Sequence, residues 1–396
     1  MNQDSYTEVT SESWFSRLRG AIKGFLYGMA LFVFAFPLLS WNEGRAIKRA
    51  KALHEGAAVV VSVPADEISP TNSGKLVHVS GKATTSEKLA DPIFRVSANA
   101  IHFRRVVSMY QWQEDSDTHT TKKLGGGTET STTYTYARNW HEGFIDSSRF
   151  KHPEGHQNPS MPCNSDEWSA KQVHLSDFQL GPSLVAKLTH YIPVAPATAG
   201  TISNALLGVF HPINDGFYRG RNSAAPELGD IHVTFQAVEP AEVSIVAQQA
   251  GTTLAPYATQ AGSPIELLKN GTYSAAEMFK SAEQSNKRLT WILRGVGLLI
   301  MAIGLSMLLK PLSVLADVLP FFGNIVQAGT GLIALLVSLT LSIITIGVAW
   351  IVYRPVLGIA LLVIAGVVVY VLKERLGRTK RENMQPTARS KVLETA

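Results

Sequence analysis

The stretch His152-Pro153-Glu154-Gly155-His156, followed by Cys163, comes nearest to a metal site in this sequence. Two histidines four residues apart can share one ion when a helix brings their rings together, but Pro153 and Gly155 oppose a helix there. We therefore read a solvated loop, and no metal. His102, His174, His190, His211 and His232 stand singly, as core or surface residues. Tyr218, Arg219, Asp230 and His232 fall within 15 residues and are candidates for a polar site, although their spacing does not demand one. Asp91-Pro92, Asp215-Gly216 and Glu227-Leu228-Gly229-Asp230 are turn formers first. Gly125-Gly126-Gly127 lacks the Lys-Ser/Thr that lets a glycine loop cradle phosphate, and neither G-x-S-x-G nor H-E-x-x-H occurs. No catalytic residue, cofactor or metal ligand is expected. With Cys163 the single cysteine, an intrachain disulfide is impossible.

The elements that would carry any site are dominated by apolar runs. A helix needs about 20 apolar residues to cross ~30 Å of hydrocarbon. Residues 24–41 form one such run and 289–372 hold three more: 291–309, 325–353 and 355–372. Arg294 lies near the start of the second and is expected to snorkel to the headgroups. Trp291, Trp350, Tyr353 and Tyr370 are expected in aromatic belts, and 311–323 as an interfacial or re-entrant segment. The fold expected is an α+β membrane protein with four transmembrane helices and a large β-rich extracytoplasmic domain between the first and second. Its parts are a cytoplasmic tail 1–23, helix 24–41, domain 42–288, helices within 289–372 and a basic cytoplasmic tail 373–396.

Small residues at helical spacing mark candidate packing faces. They are Gly20, Gly24 and Gly28; Ala334, Ser338 and Ser342; and Gly358 with Gly366. After the first run, Ile47, Ala50 and Leu53 share one side of a short helix. Arg45, Lys48, Arg49 and Lys51 lie largely on others, the pattern of a helix on a membrane surface. An uncleaved signal anchor is preferred over a cleaved signal peptide, because no small-residue exit follows the first run.

The polar segment reads mainly as strands, with candidates 57–63, 76–80, 101–112, 132–140, 231–237 and 243–248. Residues 114–130, rich in Thr, Ser, Asp and Gly, read as a long mobile hairpin loop. Residues 1–12 read as disordered, 146–166 as aperiodic, and 178–189 and 201–209 as short helices. Ser274-Ala275-Ala276-Glu277 is a capping box, starting a helix that runs into the second span.

The 396 residues carry a formal charge of +5. The tail 373–396 alone holds +4 and the first 24 residues balance, leaving +1 for the rest. A near-neutral domain is a poor nucleic-acid surface, whereas a basic tail beside a bilayer suits anionic lipid. That tail favours cytoplasmic termini under the positive-inside rule, against dissent from Arg45, Lys48, Arg49, Lys51, Lys287 and Arg288.

The runs Trp41-Asn42-Glu43-Gly44-Arg45-Ala46, Gly74-Lys75-Leu76-Val77-His78-Val79, Met109-Tyr110-Gln111-Trp112, Gly155-His156-Gln157-Asn158-Pro159-Ser160, Gly229-Asp230-Ile231-His232-Val233 and Tyr353-Arg354-Pro355 resemble, in this order, the transmembrane protein 43 (LUMA) family. The resemblance implies four spans, with the large loop lumenal in eukaryotes or periplasmic in bacteria. It also implies residence in the endoplasmic reticulum and inner nuclear membrane for eukaryotic members, and self-association that organises membrane protein complexes. It supplies no catalytic residues. Asn270-Gly271-Thr272 is a glycosylation sequon if the source is eukaryotic; the tails favour a bacterium, hence an inner membrane with a periplasmic domain. The function expected is a multi-pass scaffold that self-associates and gathers lipids or membrane proteins. The alternative is a lipid-binding or lipid-modifying protein acting through its extracytoplasmic domain.

Overall fold

A computed structural model describes residues 4–196, 202–204, 208–318 and 320–353. It is an α+β protein with two compact units. One comprises residues 1–18, 48–286 and 314–323, and the other 19–47, 287–313 and 324–396. Among the described residues three helices are long and apolar enough to cross a membrane: α1 (Trp14–Val59), α2 (Ala275–Ala316) and α3 (Pro320–Tyr353). The expected span 355–372, with Gly358 and Gly366, and the tail 373–396 lie outside the described residues.

The first unit is built on two sheets. Its long strands are β1 (Asp4–Glu12), β2 (Leu76–Thr84), β3 (His102–Lys122), β4 (Thr128–Glu142), β5 (Gly208–Ile213), β6 (Gly216–Arg219), β7 (Ile231–Val238) and β8 (Ala241–Ala250). The larger sheet runs β1-β4-β3-β7-β6-β5, and in the second β8 pairs with β2. Ile231, Val233, Phe235 and Ala237 alternate with half-buried polar residues along β7, so every second side chain enters the core. There they meet Phe103, Val107 and Met109 of β3, with Phe94, Phe210 and Phe217. Phe94 is placed by a turn in which the Asp91 carboxylate accepts the amides of Ile93 and Phe94 and pairs with the buried Arg105. Leu53, Leu76, Val246, Ile265, Met278 and Phe279 form a further core cluster, so the last turns of α1 and the first of α2 pack on the second sheet.

Several expected boundaries are corrected. Residues 114–130 are not a mobile loop: β3 and β4 continue as a ladder to Lys122–Thr128, leaving a turn of 123–127. The start of the chain is not disordered from residue 4 on, because β1 adds a third strand through Asp4–Tyr136 to Glu12–Thr128. The run 57–63 is helical to Val59, and only Val61–Ser62 is strand. Within 178–189, Phe178–Leu180 is strand and Pro182–Val185 a single helical turn. Residues Ile202–Asn204 and Gly208–Ile213 are strands rather than a helix. Within 311–323, α2 continues to Ala316 and α3 begins at Pro320. No break separates the first apolar run from the helix at 42–53; α1 is continuous over 46 residues, roughly 70 Å. The capping box is formed, with Ser274 donating to Glu277 and the Glu277 amide to Ser274 Oγ.

The turn of the β3–β4 ribbon is fastened by charge. Asp317 is 1% exposed and pairs with Arg17 and with Lys122 Nζ at 2.7 Å. Trp14 Nε1 donates to the Val314 carbonyl at 2.8 Å and the Gly125 amide to that of Val318 at 3.1 Å. Gly126 has φ +80°, and a Cβ there would lie 2.3 Å from the Trp14 ring, so glycine is required twice over.

Candidate functional site

In the second unit a polar cluster is enclosed by apolar helices, formed by residues that sequence spacing left apart. Glu43 of α1 is 2% exposed. Its carboxylate accepts Arg294 Nε at 2.7 Å and Nη2 at 2.8 Å, both from α2, and Trp350 Nε1 of α3 at 2.7 Å. The Arg294 guanidinium also lies 4.7 Å from the Trp291 ring centre and 5.8 Å from that of Trp350. One turn away, Asn42 Nδ2 donates to the Thr290 carbonyl, and Arg45 Nη2 bridges Asn42 Oδ1 and Thr290 Oγ1, all at 3.1 Å. A Cβ on Gly44 would come within 2.6 Å of the Tyr353 ring, so the absence of a side chain there lets α3 approach.

A planar fork on a carboxylate is the strongest common ion-pair geometry. With a third donor from indole, Glu43 has its charge matched and its lone pairs occupied. Such a group fixes helices in register; it does not offer a free base. Arg294 and the Trp350 indole thus meet on one carboxylate of α1, and the Tyr353 ring lies against Gly44 of the same helix. Glu43, Arg294 and Trp350 escaped sequence reasoning because their partners lie 251 and 307 positions apart. The available signal was Glu43 and Arg294 as isolated opposite charges, each at the margin of an apolar run.

The expected packing residues are placed as follows. Among the described residues, a Cβ on Gly20 would meet nothing within 4 Å, and one on Gly24 would meet only Met307 Cε at 3.8 Å. A Cβ on Gly28 would be 2.6 Å from Met307 Cβ and 2.8 Å from the Gly304 carbonyl oxygen, a direct backbone crossing of α1 and α2. Ala334, Ser338 and Ser342 are all buried, with Ser342 Oγ 3.7 Å from Met301 Sδ. Of the residues expected on a membrane surface, Lys48 and Lys51 are exposed. Arg45 is engaged as described, and Arg49 donates to Ser263 Oγ and the Pro264 carbonyl.

The remaining candidates resolve into structural roles. Tyr218 donates to Asp230 Oδ2 at 2.5 Å, and the same oxygen accepts the Glu227 amide, closing the loop between β6 and β7. Arg219 does not join them, and His232 pairs with Asp215 at 3.2 Å. His152 and His156 serve different partners: His152 stacks on Tyr6 with ring centres 4.3 Å apart, and His156 on Tyr136 at 3.9 Å. His156 Nδ1 donates to the His152 carbonyl, and its Nε2 lies 3.3 Å from Asp4 Oδ2. Cys163 is in the core, where burial pushes its thiol pKa up. Among the described residues no three His, Cys, Asp or Glu side chains are grouped as a metal cage. Residues 146–166 are pinned rather than free, with Asn158 bonded to the Trp112 amide and carbonyl and to the Ile145 carbonyl.

Tyr136 carries a measurable signature. Its hydroxyl donates to Glu114 Oε2 at 2.6 Å and accepts the His152 amide at 3.0 Å. Burial first, then the bond to Glu114, pushes its pKa up to about 12. A raised phenol pKa contributes stability that is full below pH ~10 and is lost as pH rises through about 12. Burial and carboxylate partners also push Tyr191 and Tyr218 up, so ultraviolet titration is expected to show late-ionising tyrosines with one fewer in Tyr136→Phe; an unchanged late amplitude after the substitution would refute the assignment.

A family model described as "Transmembrane protein 43" matches residues 109–355. The chain is 32% identical to rat transmembrane protein 43 over 396 residues, covering 96% of this chain and 98% of that one. It is 32% identical to the human protein over 378 residues, covering 92% and 93% of the two chains. To the Drosophila melanogaster homolog it is 33% identical over 362 residues, covering 87% and 93%. No solved structure matches.

Proposed function

Because this chain belongs to the transmembrane protein 43 family, an integral membrane protein by its kinship and its apolar helices, we propose that it is a non-enzymatic membrane organiser. In this reading it crosses the membrane four times, with 355–372 as the fourth span. The bulk of its β-rich unit lies outside the cytoplasm, in the periplasm if the source is bacterial and in the endoplasmic reticulum and nuclear envelope lumen otherwise. Copies associate and gather lipids or other membrane proteins. The carrying observation is the combination in the helical unit of a saturated polar centre at Glu43 with large outward side chains. Leu299, Ile303, Leu336, Leu339 and Ile343 are exposed, and such a surface is suited to lipid tails or neighbouring helices. Mass and bound lipid, measured together on purified protein, test it. Assembly above the monomer mass with retained lipid is expected, and Gly20→Leu with Gly24→Leu is expected to reduce the mass. A lipid-free monomer would overturn the reading.

A second reading, lipid binding through the β-rich unit, is favoured by one cavity of about 200 Å³. Ala83, Ile101, Leu188, Val238 and Val243 line it, with His190 and Glu239 among the polar residues. Apolar walls suit the end of an acyl chain and favour binding over lipid chemistry. Loss of retained lipid in Val243→Trp, with the fold intact, would support this reading; unchanged lipid content would count against it.

A further inference from the structure

Among the described residues, the three-stranded ribbon β1-β4-β3 ends in two edges that no other strand pairs with. β7 reaches β3 no further than Met109, and the strand Asp166–Ser169 pairs only with its first residues. Beyond Trp112, whose amide and carbonyl are taken by Asn158, β3 is laddered to β4 alone. β1 is the last strand on the other side. Antiparallel ladders alternate their bonding direction, so Glu114, Ser116, Thr118 and Thr120 direct their backbone groups away from β4 on one edge. Ser5, Thr7, Val9 and Ser11 do so on the other. Neither stretch contains proline, one of several blocks to edge pairing, although Glu114 and its neighbours Asp115 and Asp117 carry charge. β1 has nine residues, about 30 Å at strand rise, which matches the hydrocarbon thickness.

The ladder constrains topology. If the chain crosses four times with its N-terminus cytoplasmic, β1 and the ribbon turn that Arg17 and Trp14 fasten are on the cytoplasmic side. The base of the same ribbon belongs to the β-rich unit on the other side. The ribbon must then pass through the membrane, where lipid cannot satisfy an open strand edge. Each copy offers one edge of each kind, so like copies satisfy both at once by a head-to-tail contact that closes into a ring.

We propose that the β1 edge of one copy pairs with the outer edge of β3 in the next, joining the protein into a closed sheet of ribbons. This rests on the organiser reading and its four-span arrangement, and it names the partner as a second copy and the interface as these two edges. Within one copy β1 runs parallel to β3, and Val9 is level with Ser131, which is level with His119. Rotation about a ring axis keeps that direction, so Val9 of one copy faces the region of Thr118, His119 and Thr120 in its neighbour.

The test uses the full chain in native membranes. Thr7→Cys with Thr133→Cys, whose hydroxyls are 3.1 Å apart, is expected to form an intramolecular disulfide. Val9→Cys in one tagged copy, co-expressed with Thr118→Cys, His119→Cys or Thr120→Cys in another, is expected to give a disulfide-linked dimer carrying both tags. Either variant alone should give little. If the first disulfide forms but none of the pairs links copies in a protein of oligomeric mass, the edge contact is wrong and the organiser reading survives. A monomeric mass would overturn the edge contact, and a lipid-free monomer the organiser reading as well. Failure of the first disulfide in membranes, or linkage of these positions to a different protein, would overturn the edge contact.

Discussion

Glu43→Ala is expected to unfold the helical unit at markedly lower denaturant than the natural protein, by about 3–5 kcal/mol, the usual cost of stranding one partner of a buried pair. Arg294 is 17% exposed on its side chain and would keep its charge while losing both fork contacts. Trp350 would lose its acceptor as well. The pair itself is not expected to be worth that much, because taking two charges out of water offsets most of their attraction. The double variant Glu43→Leu with Arg294→Leu should therefore recover much of the loss, and only a cycle of both singles and the double separates the two effects. Reversible unfolding in mixed micelles, followed by tryptophan fluorescence, reads it. A single variant as stable as the natural protein would remove Glu43 from the centre of the unit. A double variant no better than the worse single would show that the helices need the charges themselves.

The same cluster shows where local reading of a sequence stops. Residues Trp41 to Ala46 carried the family resemblance, but as a local string Asn42-Glu43-Gly44-Arg45 looks like a polar break after an apolar run. It is buried helix because Thr290, Arg294, Trp350 and Tyr353 meet it from elsewhere in the chain. By contrast β7 was legible almost to the residue: one face is packed, so Ile231, Val233, Phe235 and Ala237 alternate with polar neighbours. The outer ribbon was not, for the converse reason. From Asp115 to Thr121 the residues of β3 are exposed, so no apolar period exists, and Thr, Ser, Asp and Gly have the composition of a loop. Its order comes from the ladder to β4 and β1 and from the charges at its turn. The run after Leu53 was misread because its β-branched residues favour strand, whereas tertiary contact decides. A Cβ on Gly56 would strike Ile265 Cδ1 at 2.2 Å, which shows how closely helix and sheet meet there.

Asp317→Ala carries the other large expected effect, and it tests the turn of the ribbon rather than the helical centre. Asp317 is the common partner of Arg17 and Lys122, whose side chains are 13% and 16% exposed. Removing it leaves two cations close together in a largely enclosed place, again a loss of about 3–5 kcal/mol for that region. The loss should be local. β1 is held to β4 by its ladder and to the turn only through the start of α1, so the first consequence is fraying of β1 and the ribbon tip, seen as faster amide exchange over 4–12 and 114–130. The cores around Phe94 and Val77 share no contact with Asp317 and should keep their protection. Adding Lys122→Met and Arg17→Met to Asp317→Ala removes the stranded charges while keeping much of the packing, and should restore slow exchange in part. High salt is expected to do little to the natural protein, since an enclosed pair is poorly screened. If exchange in 4–12 is unchanged in Asp317→Ala, the ladder alone orders the strand and the charges at the turn are incidental to it.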